Sequence, residues 1–293
     1  MQAIDDYRRG DWAGLKARLS DGSPDAAYQA IIDLSFALPV DAPLAGLVAK
    51  QDDVIGLTLI GGLLRYRAWR LRGALVAAMT PEARFERYFE ALGHALEALN
   101  AALAIDANGL AAAILASACL DADEDDKAGA EALLIAAPEA PVIGHLELMT
   151  AWTQKWGGSQ DQMWAYLERH VRRAAPGTLA LVPRAHWEHK NHLELAGAQK
   201  KADGYYRREA VRKALVAASD ESLAASPGVD PHRLRAGDCW FALTLAGAGE
   251  TMRAKRHFQR LGRYMDPTVW HYGWAFITPP MRFAFNRLRA GLL

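Results

Sequence analysis

Cysteine is nearly absent from this 293-residue chain, which holds only Cys119 and Cys239. Both lie in apolar segments, and their spacing suits neither a metal knuckle nor a redox pair. A disulfide scaffold is therefore excluded, and buried free thiols in a reducing compartment are expected. Net charge is absent as well, with 34 basic and 34 acidic side chains, so the concentrated basic field of a typical nucleic-acid binder is missing. Long hydrophobic runs are missing too. The longest, Val54 to Leu64, has eleven residues and three glycines, well short of the roughly 20 that span a bilayer. Behind the charges of Met1 to Arg9 there is no apolar stretch of the kind a secretory signal needs. These absences predict a soluble, cytoplasmic protein with no membrane partner.

What is present points to a packed helical protein. Hydrophobic residues make up 51% of the chain and charged residues 23%, which excludes a disordered or collagen-like polymer and provides for a large core. The charge is unevenly placed. Up to Leu146 there are 12 basic against 21 acidic residues, and beyond it 22 against 13. Solvated helix faces explain such asymmetry, which can also orient a partner or pair the ends of neighbouring molecules.

Apolar residues recur at helical spacing almost everywhere, and no run alternates as a strand would. The fold class is therefore all-α. Ser23-Pro24, Thr80-Pro81 and Asp230-Pro231 each place a capping oxygen before a proline suited to a first helical turn, and Ser159 with Gln162 forms a capping box. Helices are predicted near 11–20, 24–37, 52–78, 81–105, 109–120, 126–137, 142–155, 159–174, 179–198, 202–218, 231–247, 250–264 and 280–291. The Ser-, Ala- and Gly-containing stretch from Ser219 to Val229 is predicted to be a loop.

Internal similarity emerges at a period of 34 residues. With units starting at Val76, Leu110 and Gly144, three sets fall in register: Ala95, Gly129 and Met163; Leu99, Leu133 and Leu167; Ala102, Ala136 and His170. Ala83, Ser117 and Ala151 share a small-residue position in the first helix, and Ala107, Pro141 and Ala175, the last followed by Pro176, close the units. Gly249, Ala254, Phe258, Leu261 and Pro267 repeat the second-helix spacing, and Gly10, Trp12, Leu15 and Leu19 echo it near the start.

This pattern resembles the tetratricopeptide repeat, in which small residues let two antiparallel helices approach and a larger apolar residue wedges between units. The large aromatic early in the first helix is missing, and His170 replaces a small residue, so the repeats are degenerate. The resemblance implies a right-handed helix-pair solenoid with a C-terminal cap. It divides into a helical segment 1–75, three repeats over 76–177, and further repeats and cap over 178–293, all in one continuous domain. A narrower resemblance rests on Ala68-Trp69-Arg70-Leu71-Arg72-Gly73, on the Ala98 to Asn108 repeat ending, and on Trp156-Gly157-Gly158-Ser159 with Gln162-Met163. Together these look like the bacterial domain of unknown function 4034 family. That likeness covers roughly 63–198 and implies a cytoplasmic bacterial helical-repeat protein, without any activity to carry over.

Candidate chemistry is sparse. Arg67, Arg70 and Arg72 stand beside Tyr66 and Trp69. Internal ion pairs with acidic neighbouring helices are expected of them, and a guanidinium grip on a carboxylate or phosphate is the alternative. Trp156 to Ser159 read as a helix-to-helix corner whose amides could hold an anion. With Arg184, the residues Arg67, Arg70, Arg72, Trp156 and Ser159 are the candidate partner contacts. His186 with His189, His189 with His192, or Glu188 with His192, three or four apart on one helical face, could give two ligands to a metal, with His145, His170 or Glu194 as a possible third. Their spacing departs from the zincin pattern. The acidic run Asp121 to Asp126 lacks the glycine and the final glutamate of a calcium loop. The aromatic stretch from Trp270 to Phe285 is expected to cap the array, with any exposed ring marking a partner surface.

The resulting expectation is a non-enzymatic helical-repeat protein that needs no cofactor and holds a protein or peptide on its concave face. The alternatives are a metal-dependent protein using the histidine cluster, a toxin-neutralising protein, and an RNA binder acting through the basic half.

Overall fold

A computed structural model describes residues 2–44, 47, 53–73, 79–137, 139–171, 177–225, 228–266, 269–270 and 278–292. Among these the protein is all-α, with no strand. The chain divides into two compact units, Met1–Leu148 and Met149–Leu293.

Unit 1 contains α1 (Gln2–Arg9), α2 (Trp12–Asp21), α3 (Pro24–Ala37), α4 (Val54–Arg72), α5 (Glu82–Ile105), α6 (Gly109–Ala118) and α7 (Glu124–Ala136). The helix α8 (Val142–Ala151) begins in it. Every residue of α6 is buried, as expected of a short helix apolar on all sides. The α4 helix packs against α3, α5 and α6, and its glycines make that approach possible. A methyl group on Gly61 would lie 2.5 Å from Leu99 Cγ, and one on Gly62 would lie 2.6 Å from Ile31 Cγ2. Asp25 of α3 accepts a hydrogen bond from Val142 N at 3.0 Å, capping the start of α8 from far away in sequence.

Unit 2 contains α9 (Gln160–His170), α10 (Leu181–Leu195), α11 (Gln199–Ala202), α12 (Glu209–Ala224), α13 (Pro231–Ala248), α14 (Thr251–Leu261) and α15 (Pro279–Arg289). The α13 and α14 helices form a hairpin, and α15 rests on both. Ala254, Phe258 and Leu261 are buried, as the sequence pattern requires. Trp270 and Phe283 pack with Phe258, their ring centres 5.4–5.9 Å apart. Of the aromatic stretch, Trp270 and Phe283 are thus buried against α14, while Phe285 is exposed and residues 271–277 lie outside the described residues. So do Val76, Ala175, Pro176 and Pro267 of the repeat scheme.

Several expectations are corrected. The α5 helix runs unbroken from Glu82 to Ile105, so Ala83 and Ala95, assigned to two helices of one repeat, sit on the same helix. The middle unit is out of phase by one residue. Ala95, Leu99 and Ala102 are buried on α5, and Met163, Leu167 and His170 on α9. On α7, however, Ala130 and Leu134 are the buried pair, Gly129 and Ala136 are exposed, and Leu133 is half-buried. One residue turns a helix face by about 100°, and contact with α6 selects the Ala130–Leu134 face. Pro81 rather than Thr80 precedes α5, with no side-chain cap. Ser23 and Asp230 do cap their helices.

The predicted loop from Ser219 is also overturned through Ala224, because α12 extends that far with Ser219 and Ser222 buried. Buried polar partners, described below, hold these serines in a helix. The helix predicted over 202–218 is displaced accordingly. Around Tyr205–Arg207 the chain makes a tight turn before α12 begins at Glu209.

The phase of α7 is testable. Leu134→Asp puts a charge on the buried face and is expected to cost several kcal/mol. Leu133→Asp, on the half-buried flank, should cost clearly less in urea unfolding.

Candidate functional site

A cavity lies on unit 1, along α4 and α5. It is a groove of about 270 Å³ lined by Leu64, Arg67 and Leu71 from α4, Arg87, Glu90, Ala91 and His94 from α5, and Val40 and Asp41 after α3. Spacings of three and four put the lining residues of each helix on one face. Leu64, Leu71 and Ala91 form an apolar floor, while Arg87, Glu90 and His94 are exposed. Arg67 Nη2 donates to Ala42 O at 2.5 Å. Partial burial lowers the Arg67 pKa, and Tyr7 and Asp41 oppose that shift. Tyr7 in turn donates its hydroxyl to Pro43 O at 2.6 Å, so the wall of the groove is tied to α1.

The other arginines of α4 are used differently from what their sequence suggests. Arg70 Nη1 donates to Ser35 O at 2.7 Å and Leu38 O at 2.6 Å, satisfying carbonyls at the end of α3. Arg72 lies over the rings of Trp69 and Phe85 at 5.4 and 5.5 Å. Helix-end carbonyls and aromatic faces are thus among the partners of these arginines. The buried ion pair belongs instead to Arg65, which sequence reasoning passed over. Its guanidinium donates to Ser117 O at 2.9 Å and lies 3.6 Å from Glu147. Arg87 and His94 were missed as well. Their signal was the spacing of seven on an exposed helix face, with Glu90 between them.

The remaining candidates, Trp156, Ser159 and Arg184, lie in unit 2. Trp156 to Ser159 do form the expected corner. Gly157 has φ +82°, and Ser159 Oγ accepts from Gln162 N at 3.1 Å. The glycine at 158 is required because a side chain there would run into the Trp152 carbonyl. The corner amides, however, are spent. Gly157, Gly158 and Ser159 donate to the carbonyls of Gln154, Thr153 and Trp152 at 3.3, 3.1 and 3.0 Å, which removes the anion site considered for them.

Arg184 is buried rather than presented to a partner. It pairs with Glu188 at 2.7 Å, donates to Thr150 Oγ1 at 2.8 Å, and sits 4.3 Å from the centre of the Trp240 ring. Lys155 reaches the other carboxylate oxygen of Glu188 at 2.7 Å.

His186 and His189 are engaged within the protein. His186 Nδ1 meets the Tyr205 hydroxyl at 3.0 Å, and His189 Nδ1 meets Gln160 Oε1 at 2.8 Å. Burial pushes His186 down to about 4, helped by the neighbouring His189. His189 is lowered by burial and then by His192 and Arg208. No group of three or more metal-ligating side chains able to hold an ion exists among the described residues. His186, His189 and His192 are therefore not a metal triad. Their helical spacing supplies proximity but not convergence.

A constellation invisible in the sequence joins α12, α13 and α14. Ser219 Oγ lies 2.8 Å from His257 Nε2, and His257 Nδ1 lies 2.6 Å from Asp238 Oδ1. This is the connectivity of a nucleophilic triad. Ser219 and His257 are both 0% exposed, so no substrate carbonyl can reach the hydroxyl. Arg260 also pairs with Asp238 and donates to Ser222 O at 3.2 Å. Burial lowers the His257 pKa, while Asp238 opposes that shift. A neutral ring donating from Nδ1 and accepting at Nε2 satisfies all three groups. The network is a polar clamp between helices.

No known family, curated protein or solved structure matches the chain.

Two outcomes follow from these geometries. Asp238→Ala leaves Arg260 and His257 without their shared carboxylate and is expected to cost about 3–5 kcal/mol in chemical denaturation. Acid should destabilise the protein through His186. Its folded pKa lies below the unfolded value, so its contribution is complete above pH 6.5 and is lost as pH falls toward about 4. Urea midpoints measured across that range should decline, and His186→Asn should flatten the decline.

Proposed function

We propose that this is a non-enzymatic binding protein built from tetratricopeptide-like helix pairs, and that its unit 1 groove takes a short acidic segment of a protein partner. The groove carries the reading, because Arg67, Arg87 and His94 surround an apolar floor on two packed helices. Its volume of about 270 Å³ falls below the ~300–1,000 Å³ of sites for drug-sized ligands. One carboxylate-bearing side chain and an apolar neighbour suit that space. A guanidinium offers such a carboxylate paired, charge-assisted donors, while Asp41 and Glu90 oppose a second negative charge and so select the register of the segment. Pairs such as α6–α7 and α13–α14 support the helix-pair reading, and the Ala68 to Gly73 string that carries the narrower family resemblance ends α4 beside the groove. The internal engagement of His186 and His189 leaves the binding reading ahead of a metal-dependent one.

Selection from a displayed library of short peptides, followed by calorimetry, tests the proposal. Enriched peptides should contain Asp or Glu next to an apolar residue. Arg87→Glu should weaken them at least about tenfold, a loss of roughly 1.4 kcal/mol, without lowering the melting temperature. Enrichment of uncharged peptides, or affinity indifferent to Arg87→Glu, would overturn it.

A further inference from the structure

The outward face of α15 is apolar. Met281, Phe285 and Leu288 are 58%, 57% and 58% exposed, and their spacing of four and three aligns them on one side of the helix. The opposite side buries Phe283. Every charged residue of α15 is an arginine: Arg282, Arg287 and Arg289. Three large apolar side chains in a row on an arginine-only helix call for a covering surface that is smooth, apolar and acidic.

The chain itself carries such a surface on its other unit. The α7 helix buries Lys127, Ala130, Glu131 and Leu134, which turns Asp125, Ala128, Gly129, Ala132 and Ala136 outward, all of them exposed, with the exposed Ile135 at the edge of that face. Among the described residues, nothing beyond the helix's own neighbouring backbone comes within 4 Å of where a side chain on Gly129 would lie. A glycine inside a helix costs about 1 kcal/mol relative to alanine, and the packing of this copy gives no reason for it. Glu124, Asp125 and Asp126 fill the first turn of α7. The charge balance of the units follows the same division. Unit 1 has 12 basic and 22 acidic side chains, a net −10, and unit 2 has 22 and 12, a net +10.

We infer that a second copy of this chain occupies the α15 face, with α15 of one molecule lying on the outward face of α7 of the next. An antiparallel approach sets Arg289 toward the acidic start of α7 and Met281 toward Ala136. The large side chains then enter the shallow surface left by Gly129 and the alanines. Pairing α15 with α15 instead would bring like charges together. The contact is heterologous, joining two different patches, so each molecule keeps one free patch of each kind unless the arrangement closes on itself.

Sedimentation velocity of the full chain over a range of concentration and salt is the test. The weight-average mass should rise above the 32.0 kDa monomer at low salt and fall back as salt screens the charges. Phe285→Asp and Ala132→Arg both change exposed positions, so each should fold normally, with an unchanged circular dichroism spectrum, and each alone should reduce association at least tenfold. Mixing the two variants should restore a dimer, because each supplies the patch the other lacks. A monomer at every concentration would overturn the inference. So would association insensitive to both variants, or failure of the mixture to recover. Co-sedimentation with vesicles of anionic lipid, lost in Phe285→Asp, without self-association would also overturn it, by making a lipid surface the occupant of the face.

Discussion

A charge taken out of water must be met inside the protein, and that requirement governs how the helices of this chain dock. An unpaired buried ion is among the most costly features a fold can contain. Arg65 meets it with Ser117 O, Glu147 and the face of Tyr66, which locks α4 to α6 and to the middle of α8. Arg184 meets it with Glu188, Thr150 and Trp240. Asp238 is met by both Arg260 and His257. Arg184 and Glu188 share α10, but Thr150, Trp240, Ser117, Glu147 and the partners of Asp238 come from other elements, so each cluster sets the position of one element against another. Apolar contact supplies the driving force for burial, but it tolerates sliding and rotation that these pairings do not.

The same constraint separates interior arginines from those available to a ligand. Arg70 serves the end of α3 and Arg72 lies against aromatic rings. Arg87 and His94 instead stand exposed at the groove, where no folded-state partner is required of them. Function in this protein is best sought among side chains that folding has not already used. The corner at Trp156–Ser159 illustrates the converse, because its amides and serine oxygen are consumed in making the turn.

Much of the fold was legible in the sequence. Proline with a preceding Ser or Asp marked the starts of α3 and α13, and Gly157 with Ser159 marked a corner. The periodicity of Ala254, Phe258 and Leu261 identified a buried face. These are local signals, written in propensity, capping and spacing within a few residues. The candidate site was legible only in fragments. Arg67 was singled out, but Arg87 and His94 lie on a separate helix, and nothing in the chain says that the two meet.

The sequence by itself determined that this protein is helical, where many of its helices begin, and that its cysteines are buried, because those properties follow from short-range sterics and composition. Tertiary structure alone decided the phase of α7, the helical state of Ser219, the contacts of His186 and His189 with Tyr205 and Gln160, and the convergence of α4 and α5 on one groove. Each depends on which residues far apart in the chain come within a few ångströms of one another. A one-residue rotation of a helix, which leaves local propensity almost unchanged, is enough to exchange a buried residue for an exposed one.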